Sequence, residues 1–115
     1  MNWYIAKLVY QIMIDNGEYA PQFEEQLRLI QGADQQDALQ KASALGDQEE
    51  SLFYNYRDEP VYWKFIDVAE LRPIRELNDG LQLDSHIRQP EYAENYLALM
   101  LSKAESIRAE ESLIA

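Results

Sequence analysis

The residues of this chain that could do chemistry are few. Asp84-Ser85-His86 sets an acid, a nucleophile and a base side by side, the three residue types of a hydrolytic triad. Their spacing argues against that use. The surrounding LQLDSHI reads as a strand, on which Ser85 and His86 point to opposite faces, so that serine cannot hand its proton to that imidazole. The chain also lacks a G-x-S-x-G elbow. Asp84 and His86 do share a face and can pair as carboxylate and imidazole. Together with Glu70 they are the polar-site candidates, of a kind suited to magnesium or calcium. His86 is the only histidine and cysteine is absent, so a zinc site lacks ligands. Against this stands the plainer reading of His86 as a polar residue on the solvent side of an edge strand.

Glu24-Glu25 and Asp58-Glu59 are carboxylate pairs adjacent in sequence. Acid–base work needs two carboxylates converging on one substrate; neighbours on a strand diverge, and the second pair sits in a turn, so solvated charge is the better reading. Gly17, Gly46 and Gly80 stand singly, which leaves no phosphate-cradling loop. Arg72, Arg75 and Arg88 can form a small basic spot where an anion could dock, although surface ion pairing with Glu70 and Glu76 explains it better. No catalytic residue, metal ligand set or cofactor is expected, and the chain reads as a non-enzyme.

The elements that would position these residues follow from periodicity. Residues 2–14 alternate, with Tyr4, Ala6, Leu8, Tyr10, Ile12 and Ile14 on one wholly apolar face, the period of a strand. Turn formers over 16–22 lead to a second strand, Phe23 to about Ile30, antiparallel to the first. Asp34 reads as a helix N-cap with Asp37 in the first turn. Ala38, Ala42 and Leu45 give a narrow apolar stripe that suggests a helix lying close to the sheet, and Gly46 reads as its stop. Strands follow at 51–56 and 61–71, the second after the turn Asp58-Glu59-Pro60. Pro73 should end regular pairing. Asn78-Asp79-Gly80 reads as a hairpin turn into a fifth strand, Leu81 to about Ile87, and a last helix from Pro90 to about Arg108 precedes a fraying end. The expectation is an α+β domain of order β-β-α-β-β-β-α on a mostly antiparallel five-stranded sheet with two helices. It reads as one domain over 1–115, with a core in 1–89 and the C-terminal helix in 90–115.

The two longest strands are apolar on both faces. The first adds Trp3, Ile5, Val9 and Met13 on its odd face, and the strand 61–71 sets Val61, Trp63, Phe65, Ala69 and Leu71 against Tyr62, Ile66 and Val68. Such strands are covered on both sides. One short helix covers one face, so the last helix or a second chain must cover the other. Trp3, Ile5, Val9, Tyr62 and Trp63 are the candidate interface or pocket residues, since tryptophan and tyrosine are enriched where surfaces meet. A homodimer is expected.

Bulk composition narrows the partners. With 115 residues, 47% hydrophobic, the chain can build a core. Twenty-one acidic residues against 10 basic give a net charge of −11, a sign that repels phosphate backbones and anionic membrane surfaces. It suits a basic protein partner. The absence of cysteine excludes disulfides. With no basic leader and no apolar run of membrane length, a cytoplasmic protein is expected.

At NWYIAKLVYQI, FEEQLRLIQGAD, DALQKASALG, VYWKFIDVAEL and ELNDGLQLDSHI the chain resembles a family of small bacterial proteins known only as a domain of unknown function. Its pattern is an opening W-Y-x-A-K-L, an E-x-x-x-L-I strand, an alanine-rich helix and a W-x-F-x-x-V-x-x-L strand before a D-G turn. The resemblance covers about residues 2 to 87 and implies no activity. The leading expectation is therefore a cytoplasmic, homodimeric protein-interaction module. The alternatives are an acidic inhibitor or immunity-type protein that binds a basic partner, and a small enzyme with a carboxylate or metal site.

Overall fold

The computed structural model describes residues 1–15 and 19–114. Asn16, Gly17 and Glu18, read as part of a turn, lie outside the described residues. The order is β1 (Asn2–Ile14), β2 (Gln22–Gly32), α1 (Gln35–Gln48), β3 (Ser51–Tyr54), β4 (Pro60–Ile74) and α2 (Ala93–Ile114). The chain is α+β with two helices, and its sheet is antiparallel, but it has four strands, ordered β2-β1-β4-β3. The expected fifth strand does not form: Leu81 to Ile87 has no regular structure. Its turn does form, with Leu81 N–H donating to Asn78 O at 3.2 Å and Gly80 at φ +87°. Alternation across LQLDSHI supplies a strand's pattern, yet a strand needs a neighbour with which to bond.

Two compact units are distinguished, Met1–Leu83 and Asp84–Ala115. In the first, α1 packs on one face of the sheet over Tyr4, Ala6, Leu8, Tyr10 and Ile30. Small residues let it come close. Ala38 and Ala42 are fully buried, and a Cβ on Gly32 would stand 2.8 Å from the Ala38 backbone nitrogen. Asp34 caps the helix as its sequence implies, accepting from Asp37 N–H at 2.8 Å, while Asp37 Oδ2 accepts from Ala33 N–H at 2.8 Å. Gly46 is not the stop. It lies inside the helix, against the ring of Phe65.

β4 corrects the reading of two apolar faces. Its pairing with β1 shifts register twice, between Lys7 and Leu8 and between Val9 and Tyr10. Each shift is a β-bulge, an extra residue that reverses the alternation; the residues skipped are Ala69 and Ile66. Val61, Trp63, Phe65, Val68 and Leu71 consequently all share the α1 face, opposite Ile14, Ile12, Tyr10, Leu8 and Ala6. Ile66 and Ala69 are exposed. Pairing also continues through Pro73, opposite Tyr4, to Ile74. β3 reaches only as far as Trp63, so Pro73 meets the edge condition under which its missing N–H is tolerated.

The second unit holds α2, which starts at Ala93, later than expected, and runs to Ile114. No helix among the described residues is long and apolar enough to cross a membrane.

Candidate functional site

The face of β2 that meets α1 is polar until it reaches Ile30. Glu24, Gln26 and Arg28 lie opposite Tyr10, Leu8 and Ala6, and each is half-buried. They form one chain of hydrogen bonds. Trp63 Nε1 donates to Glu24 Oε1 at 3.2 Å, Gln26 Nε2 donates to the same oxygen, and Arg28 Nε donates to Gln26 Oε1 at 3.1 Å. The Arg28 guanidinium then grips the Glu49 carboxylate beside the C-terminal end of α1. Glu50 works nearby in the same way. Its Oε1 accepts from Phe65 N–H at 2.9 Å and its Oε2 from the Tyr62 hydroxyl at 3.1 Å, so a carboxylate continues the β3 side of the ladder where that strand stops. Burial raises the Tyr10 pKa above its ordinary value, with Glu49 adding to the effect. The hydrogen bond to Glu50 raises that of Tyr62. These groups brace strand to helix. Among the described residues, no buried side-chain nitrogen or oxygen lacks a partner.

The apolar residues of β2 look the other way. Phe23, Leu27 and Leu29 share the second face of the sheet with Ile5, Lys7, Val9 and Gln11, and their side chains are 60%, 45% and 52% exposed. At the Ile5 end the segment after β4 lies against this face. Leu77 and Leu83 join Ile5, Leu27 and Leu29 around a cavity of about 240 Å³, and Arg72 Nη2 donates to Leu83 O at 2.9 Å. Lys7 stands between Glu25 of β2, at 3.4 Å, and Glu70 of β4, at 3.6 Å. Alternation within FEEQLRLI signalled an apolar row, but not that the β1 register would turn it away from the helix.

The candidate interface residues therefore divide. Trp3, Ile5, Val9 and Tyr62 lie on the second face, with Ile5 buried and the others half-buried. Trp63 lies on the α1 face, stacked on Phe53 at 6.0 Å between ring centroids. Of the polar candidates, Glu70 belongs to the first unit and Asp84 and His86 to the second, where His86 Nε2 stands 3.1 Å from Asp84 Oδ2. Ser85 contributes its backbone N–H to Asp84 Oδ1 at 2.8 Å. Among the described residues, no group of three His, Cys, Asp or Glu side chains is placed to hold a metal ion. Sequence reasoning missed the Glu24–Gln26–Arg28–Glu49 row. Its signal was present, since polar residues recur at every second position from Gln22 to Arg28.

β2 is one edge of the sheet and β3 the other. They are unlike. β3 has four residues and runs into a turn tied by Asn55, whose Oδ1 accepts from Arg57 N–H at 2.9 Å and Glu59 N–H at 3.0 Å. β2 has 11 residues and pairs with β1 without a register shift. It carries no proline or bulge to blunt it.

A family model described as a domain of unknown function, DUF4288, matches residues 3–85. No curated protein and no solved structure matches the chain.

Proposed function

The chain belongs to the DUF4288 family, a membership that brings no activity with it, and we propose that it is a non-enzymatic, cytoplasmic protein-interaction module that works as a homodimer through β2. The observation that carries this reading is the row Phe23, Leu27 and Leu29, about half exposed along an open edge strand. Full burial of a side chain of this size gains about 1.5–3 kcal/mol, of which roughly half is still to be gained here, and an open edge adds unpaired backbone groups. Two-fold assembly is the common way for one edge to meet its own copy.

Light scattering of the whole chain over a concentration series tests this. The reading expects a mass approaching twice 13.5 kDa, and a return to the single-chain mass in Leu27→Glu, with circular dichroism unchanged. A single-chain mass for the wild type at every concentration would overturn it.

A further inference from the structure

We propose that two copies join edge to edge through β2, antiparallel, about a two-fold axis that passes beside Gln26. This rests on the homodimer reading above and adds its register. An antiparallel strand pair with its two-fold axis normal to the sheet keeps each face continuous across the junction, so residues meet others of their own face. With the axis at Gln26, Arg28 stands opposite the second copy's Glu24, and Phe23 stands opposite the second copy's Leu29. Both pairs occur twice. On the α1 face the junction gains two opposite-charge pairs, and on the second face two aromatic–aliphatic pairs, the kinds of cross-strand neighbour that stabilise a sheet.

Neighbouring registers lose this match. An axis at Glu25 sets that carboxylate against its own copy, a destabilising like-charge contact. An axis at Leu27 sets Arg28 opposite Gln26 and Phe23 opposite Gln31. Of these registers, only the axis at Gln26 gives QFEEQLRLIQG opposite-charge pairs together with apolar ones, and it leaves Glu25 beside Leu27 of the second copy at the rim of the second face. The Arg28 guanidinium, a third exposed while it grips Glu49, has further donors for a second carboxylate. The joined edges form one eight-stranded sheet with the apolar rows of both copies side by side.

The chain has no cysteine, so Gln26→Cys introduces a single thiol. Directly opposed residues have Cα atoms about 4.5–5.5 Å apart, within the range a disulfide spans. Mild oxidation of Gln26→Cys is expected to yield covalent dimer. Glu24→Cys or Arg28→Cys alone should not, because each is offset from its own copy by about 13 Å along the strand, yet a mixture of the two should cross-link. As a second measurement, Glu24→Arg and Arg28→Glu chains, each self-repelling, should prefer one another over themselves by about tenfold. If the wild type is dimeric but Gln26→Cys fails to cross-link and the charge variants show no mutual preference, the register is overturned and the homodimer stands. A monomeric wild type overturns both.

Discussion

The Tyr10 hydroxyl donates to the carbonyl oxygen of Gly46 at 2.9 Å, tying the centre of β1 to the last turn of α1 through a buried bond. Tyr10→Phe keeps the ring, which lies 5.5 Å from that of Phe65, and leaves the Gly46 carbonyl without this donor. The expected cost is about 1 kcal/mol, read by urea denaturation. The pH dependence has a definite sign. The Tyr10 pKa lies above its ordinary value of 10.0 in the folded chain, chiefly through burial, so the native state holds the proton more tightly than the unfolded chain. That stability is fully present below pH 10 and is lost as pH rises through the folded pKa. Tyr10→Phe should flatten the alkaline fall in stability.

Gly46→Ala should destabilise the fold although it replaces a glycine inside a helix. Alanine in place of helical glycine gains about 1 kcal/mol by propensity. Here the new Cβ would stand 2.6 Å from Phe65 Cδ1, and overpacking of this kind costs about 1–3 kcal/mol. The clash outweighs the propensity. In the double variant with Phe65→Leu the two costs should fall well short of additive, as expected for residues in contact.

These two contacts show where sequence and structure part. Helix α1 was legible from Asp34 and the alanine stripe, whereas Gly46 imitates a helix stop because a stop and a close approach call for the same residue. β1 was legible because its regular alternation faces a regular helix surface. β4 was located, but its faces were misread: bulges at Ile66 and Ala69 reverse the alternation twice, so one apolar face written through two bulges resembles two apolar faces. The 81–87 segment has a strand's pattern without a strand's neighbour. Of the candidate site, the second-face residues Trp3, Ile5 and Val9 were legible from period two. Trp63 was grouped with Tyr62 although adjacent residues of one strand point apart.

The helix cap gives a local test. Asp34→Ala removes the acceptor for Asp37 N–H, and N-caps of this type contribute about 1 kcal/mol. Asp37→Ala removes the acceptor for Ala33 N–H and should cost a similar amount. Because both bonds meet on Asp37, one at its backbone N–H and one at its carboxylate, the double variant should cost less than the sum, measured by thermal unfolding.

Hydrogen exchange at the β2 amides, compared between dilute and concentrated solutions of the unmodified chain, tests the central claim most directly. The outward-facing N–H groups of an open edge exchange readily, and pairing with a second strand protects them. Protection that rises with concentration over residues 22–30, while β3 stays unchanged, is the predicted result. Exchange at β2 that is equally fast at both concentrations, or protection that grows at β3 instead, would contradict it.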